Sequence, residues 1–148
     1  MLGDMIDSRA MVVGAEAESW QAAVELCGNL LVEADIAEER YVEAMVRTVD
    51  ELGPYAVIAP GVAIPHARPE DGALRAGASL ATLRTPVEFG AEENDPVDLL
   101  FGFATTDADA HVELMQALAN FLGKQENLEK LREARTAEDA LEVLRSEA

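Results

Sequence analysis

At 148 residues, 49% of them apolar and with a mean hydropathy of +0.01, the chain has enough apolar surface to bury a core as one domain spanning 1–148, and too much to stay disordered. Acidic residues number 29 against 11 basic ones, a net charge of −18 that argues against a nucleic acid or an anionic membrane as a general partner and favours a partner with a basic face, though it also serves solubility alone. Cys27 is the single cysteine, so neither a disulfide framework nor a thiolate metal cluster is available.

No apolar run approaches the ~20 residues of a membrane span. The N-terminus carries Asp4 and Asp7 and lacks the apolar segment of a signal peptide. A cytoplasmic protein without direct membrane insertion is expected.

The first apolar run, Ala10-Met11-Val12-Val13, predicts a strand ended by Gly14. A helix is expected over 17–32, because Ala17, Trp20, Val24, Cys27 and Leu31 recur at spacings of three and four and share a face. Asp35 with Glu38 has the form of a capping box for a second helix reaching Leu52. Tyr41, Met45, Val49 and Leu52 form its buried stripe, and Gly53-Pro54 is its stop signal.

Short apolar runs then alternate with Pro and Gly over 56–72. A strand that breaks at Pro60-Gly61, resumes and breaks again at Pro65 sets His66 on a stiff loop. Ala59, Ile64 and Arg68 each precede a proline and are expected to be extended.

A strand over 76–83 follows, with an edge strand or turn at 85–90 because of Pro86, and a polar loop at 92–96. The continuous apolar run over 97–104 suits a strand covered on both faces. Residues 105–109 are rich in capping side chains, and the next helix presents Val112, Met115, Leu118, Phe121 and Leu122 before Gly123 ends it. Two shorter helices are expected, over 126–134 and after Thr136, the last with Ala140, Leu141 and Leu144 inward. This order predicts a three-layer α/β/α sandwich with a sheet covered by helices on both faces.

His66 and His111 are the two histidines, and each falls just past the end of a predicted strand, where open α/β sheets place their sites. A zinc site completed by Asp107, Asp109 or Glu113 lacks the tight ligand spacings. Hydrolysis lacks a Gly-x-Ser-x-Gly elbow and an obvious carboxylate pair. Phosphoryl carriage fits a neutral imidazole, which is nucleophilic near pH 7. The chain has no Walker loop, so a nucleotide is not the direct donor and no cofactor is expected. Two structural histidines stay open on spacing alone. For phosphoryl carriage, Arg68 and His111 are the candidate stabilisers of the transferred charge.

Gly61-Val62-Ala63-Ile64-Pro65-His66 resembles the Gly-x-Ala-x-Pro-His signature of the mannitol/fructose-type enzyme IIA domains of the bacterial phosphoenolpyruvate-dependent sugar phosphotransferase system. The likeness extends back to Tyr41-Val42-Glu43-Ala44-Met45 and forward through Val97-Asp98-Leu99-Leu100-Phe101 to His111, Leu114, Leu118 and Leu122. Gly53-Pro54-Tyr55, Val57-Ile58-Ala59-Pro60-Gly61 and Pro65-His66-Ala67-Arg68-Pro69-Glu70 look most like the ascorbate-type branch.

The resemblance implies a mixed sheet in a three-layer α/β/α fold. It implies that His66 accepts phosphate from the phosphocarrier protein HPr and passes it to a IIB component, usually to a cysteine there, for uptake of a sugar through a membrane IIC component. It makes His111 the family's second histidine beside the active one. Mannitol-type members also carry an arginine on the helix before the histidine loop. Counted from Tyr41, Arg47 falls one residue early, with Thr48 at the matching place, so that role is not carried to Arg47 and Arg68 is expected to supply the charge. Two other readings remain: a regulatory domain of the same fold, and a non-catalytic acidic binding module, the latter expected if His66 is buried and fully hydrogen-bonded.

Overall fold

The computed structural model describes residues 2–146, without the side chains of residues 54 and 55. Residues 1, 147 and 148, which the predicted 1–148 domain includes, lie outside the described residues. Five strands form one mixed sheet in the order β1-β4-β5-β3-β2. They are β1 (Ile6–Ala15), β2 (Val57–Ala59), β3 (Val62–Ala63), β4 (Gly77–Val87) and β5 (Val97–Ala104). β4 and β5 are antiparallel and form the centre, β1 runs parallel to β4, and β3 runs parallel to β5. β2 closes the sheet as an antiparallel hairpin with β3.

The period of two on the central strands builds both cores. Leu99, Phe101 and Phe103 of β5, with Ala78 and Leu80 of β4, face three helices: α3 (Ala108–Leu122), α4 (Gln125–Glu133) and α5 (Ala137–Arg145). The intervening residues Leu100, Ala104, Ala81 and Leu83 face α1 (Trp20–Glu33) and α2 (Glu39–Leu52). The sheet is therefore covered on both faces, in the expected three layers.

The helix starts follow side-chain chemistry. Ser19 accepts from the Ala22 N–H, Asp107 from Ala110 and Thr136 from Asp139, each satisfying a donor that the first turn leaves unpaired. The expected Asp35–Glu38 box does not form. Glu38 is the N-cap of α2 but makes no side-chain cap bond. Asp35, at φ +59°, closes α1 instead, with its N–H on the Val32 carbonyl and that of Ile36 on Leu31, the paired bonds of a Schellman ending. Asp is one of the few residues that tolerates the left-handed region, so the helix end claims it before the next helix start can.

Three further expectations are corrected. β1 extends well before Ala10, because Asp7, Ser8 and Arg9 lie on an edge strand where polar side chains reach solvent. Pro86 does not break off a separate strand; β4 continues to Val87 across a register shift that spares Pro86 a ladder bond. Leu52 and Val112, assigned to buried stripes, are 40% and 54% exposed. Leu52 is the last residue of α2, and Val112 lies on the opposite side of α3 from the buried Leu114, Leu118 and Phe121.

Candidate functional site

The site forms at the C-terminal ends of the two parallel neighbours, β3 and β5. Pro60 and Gly61 (φ +76°) turn β2 into β3, the residue order of a type II turn. Arg132 of α4 braces that turn. It donates twice through Nε and once through Nη2 to the Asp98 carboxylate, at 2.9–3.1 Å, and through Nη2 to the Pro60 carbonyl at 3.2 Å. Beyond β3 the chain stays alongside β5, with His66 bridged in parallel to Phe103 and the Phe103 N–H donating to Pro65 at 3.3 Å.

The His66 ring is held by two contacts. Nδ1 lies 2.9 Å from the Ile64 carbonyl, and a carbonyl only accepts, so Nδ1 carries the proton. The ring stacks on Phe103 with centroids 4.5 Å apart and an interplanar angle of 20°. The ring is half-buried, and Nε2 has no hydrogen-bond partner among the described residues. Burial lowers the His66 pKa, as does the nearby His111; the Ile64 bond opposes them, and the net shift is downward.

His111 sits in the first turn of α3, exposed, with its ring against the same Phe103 at 5.7 Å and 55°. Phe103 thus touches both imidazoles, and no hydrogen bond joins them among the described residues. Arg47, Thr48, Glu51, Leu52, Arg68 and Asp71 line a cleft of about 490 Å³ with His66. Both guanidiniums in it are without an ion pair among the described residues. Sequence counting set Arg47 aside in favour of Arg68, whereas the fold brings the two to the same cleft. No cluster of three or more His, Cys, Asp or Glu is arranged to hold a metal ion among the described residues.

Two residues of the site region had no functional reading from sequence. Phe103 reads as one more apolar residue of β5, and only the register between β3 and β5 sets it beneath His66. Tyr41, read as a stripe residue of α2, is buried, and its hydroxyl lies 2.8 Å from the Phe103 carbonyl and 3.1 Å from both N and O of Ala67.

Residues 4–147 match the family model described as phosphoenolpyruvate-dependent sugar phosphotransferase system, EIIA 2. The ascorbate-specific PTS system EIIA component of Escherichia coli (strain K12) is 43% identical over 141 residues, 95% of this chain and 92% of that protein. Among solved structures, the mannitol-specific cryptic phosphotransferase enzyme IIA CmtB from Escherichia coli superposes with a TM-score of 0.85 at 36% identity, over 97% of each chain. The complex of enzyme IIAMTL with phosphorylated enzyme IIBMTL from Escherichia coli contains a chain similar at TM-score 0.81 and 26% identity, over 94% of this chain and 96% of that one.

Proposed function

The chain belongs to the EIIA 2 family of the phosphoenolpyruvate-dependent sugar phosphotransferase system, and from that premise we propose that it is a cytoplasmic phosphotransferase component that carries its phosphoryl group on Nε2 of His66. The observation that carries this reading is the state of the ring. Nδ1–H is engaged by Ile64, so the lone pair lies on Nε2, which is unpartnered at the edge of an open cleft. A pKa below the usual 6.5 keeps the imidazole neutral, and so nucleophilic, around pH 7. An inert acidic binding module is disfavoured, since a histidine kept only for structure would have both ring nitrogens satisfied.

The donor is the phosphohistidine of HPr. As Nε2 attacks phosphorus, the new N–P bond forms while the donor's N–P bond breaks, and the donor ring leaves with the electron pair. His66 becomes positively charged in that step, and its Nδ1–H bond to Ile64 strengthens accordingly. Catalysis of such a transfer is mostly positioning and charge stabilisation. Arg47 and Arg68, which line the cleft, are the cations assigned to the phosphoryl oxygens, and His111, whose ring also lies against Phe103, is assigned as a further donor.

In the onward step a thiolate of a IIB component attacks the same phosphorus, the Nε2–P bond breaks, and His66 returns to neutral. The solved complex of the related enzyme IIAMTL with phosphorylated IIBMTL supports a IIB partner. Uptake then proceeds through a membrane IIC component. Identity of 43% to an ascorbate-specific component across most of the chain supports ascorbate as the sugar, and transport over a purely regulatory role. The net charge of −18 suits brief, steered encounters with basic protein faces.

Incubation with phosphoenolpyruvate, enzyme I and HPr tests the proposal. Wild type gains acid-labile phosphate and His66→Ala gains none; equal labelling of the two proteins removes His66 from the reaction.

A further inference from the structure

The parallel pairing of His66 with Phe103 offers two rungs, of which one is a direct backbone hydrogen bond. One runs from the Phe103 N–H to the Pro65 carbonyl at 3.3 Å, just before the histidine. The other would run from the Ala67 N–H, just after it, to the Phe103 carbonyl. That rung is occupied by the Tyr41 hydroxyl. The Ala67 N–H donates to the Tyr41 oxygen at 3.1 Å, and the hydroxyl lies 2.8 Å from the Phe103 carbonyl. A phenol has one proton to give, and the shorter contact takes it, leaving the Ala67 carbonyl at 3.1 Å as the weaker alternative.

We propose that Tyr41 is a positioning residue for phosphoryl transfer, its hydroxyl inserted as the missing rung that holds the His66 backbone against β5. The inference rests on His66 as the phosphoryl acceptor. Both contacts that fix the imidazole depend on that backbone: the stack on Phe103, and the Nδ1–H bond to Ile64 within the same segment. The ring of Tyr41 comes from α2, in the core on the other face of the sheet, so the hydroxyl ties the loop, the sheet and that helix together at one atom. Without it the Ala67 N–H and the Phe103 carbonyl both lose their partner, with Tyr41 fully buried between them. The segment relaxes away from Phe103, and the tautomer that exposes the Nε2 lone pair is no longer enforced.

Tyr41→Phe keeps the aromatic ring and deletes one oxygen. Three readouts separate positioning from general support of the fold. Nitrogen-15 spectra of the histidine ring show a single Nδ1–H tautomer in wild type and a mixture in Tyr41→Phe. Phosphoryl acceptance from phospho-HPr slows by about tenfold, short of the roughly hundredfold that a 1 Å misplacement can cost. Val49→Ala, a core truncation on the same helix without a bond to residue 67 or 103, leaves both at wild-type values. An unchanged tautomer in Tyr41→Phe overturns the inference whatever the transfer rate does, and so does a Val49→Ala variant that shifts the tautomer equally. If wild type accepts no phosphoryl group, the functional reading falls while the tautomer comparison still decides the role of Tyr41. Hydrogen exchange of the Ala67 amide in wild type needs no variant: protection is expected, and exchange at the free-amide rate refutes the inserted rung.

Discussion

Gly61→Ala tests how the β2–β3 turn holds the histidine loop in place. At φ +76° a side chain is strained in any surroundings, at about 1–2 kcal/mol for leaving the right-handed regions. The surroundings add to this. A Cβ at residue 61 would lie 2.5 Å from Arg132 Nη2 and 3.0 Å from Asp98 Oδ1, too close for either to stay. The guanidinium must swing out, losing the Pro60 bond and part of its fork on Asp98. The pair is partly exposed, at 31% and 23%, which limits that loss to about 1 kcal/mol. Together the substitution costs roughly 2–3 kcal/mol, a shift of about 1–2 M in the urea midpoint for a typical slope. Urea unfolding followed by circular dichroism measures it. In an Arg132→Met background the clash is relieved, and only the dihedral part, about 1–2 kcal/mol, is expected to remain. A cost in wild type below about 0.5 kcal/mol, the scatter of ordinary surface substitutions, refutes the reasoning. So does an identical cost in the two backgrounds.

Three further outcomes follow from the same contacts. The folded pKa of His66 lies below its unfolded value, so the unfolded chain binds more protons between the two; His66 costs no stability above pH ~6.5 and subtracts from it as pH falls through the folded pKa. Ring titration by NMR is expected to give a midpoint below 6.5, and phosphoryl acceptance to fall off only below that midpoint; a midpoint at or above 6.5 contradicts the burial argument. Asp35→Gly relieves a left-handed residue at the end of α1 and is expected to stabilise by about 0.5–1 kcal/mol, read as a rise of ~2 °C in Tm. Gly102→Ala puts a methyl 2.7 Å from Ser79 Oγ and 3.1 Å from Cys27 Cβ under β5, and is expected to cost about 1–3 kcal/mol by denaturant unfolding.

Residues whose local chemistry allowed one solution were legible in the sequence. The Pro60-Gly61 break, the cap-rich start over 105–109 and the last helix after Thr136 need only near neighbours to be read, and each is where the spacing put it. α1 keeps Val24, Cys27 and Leu31 inward but starts at Trp20 behind the Ser19 cap, which leaves Ala17 outside the helix. Asp35 was misread because one residue satisfied two local patterns, and the α1 end had the stronger claim through its left-handed backbone. Leu52 keeps the period of its stripe but ends α2, and Val112 falls on the side of α3 opposite the buried Leu114, Leu118 and Phe121, so apolar character alone pointed to the wrong face. At the site, the stiffness around His66 was visible from its prolines. The tautomer, the Phe103 stack, the Tyr41 rung and the arrival of Arg47 in the cleft depend on strand register and helix packing across the sheet, and no local pattern encodes them.

The central claim is that Nε2 of His66 is the atom that carries the phosphoryl group. Nitrogen-15 and phosphorus-31 NMR of the chain phosphorylated through enzyme I and HPr addresses that atom directly. One phosphorus signal coupled to Nε2 of His66, with Nδ1 still protonated and bonded to Ile64, is the expected result. Phosphorus coupled to Nδ1 of His66, or to either nitrogen of His111, contradicts it.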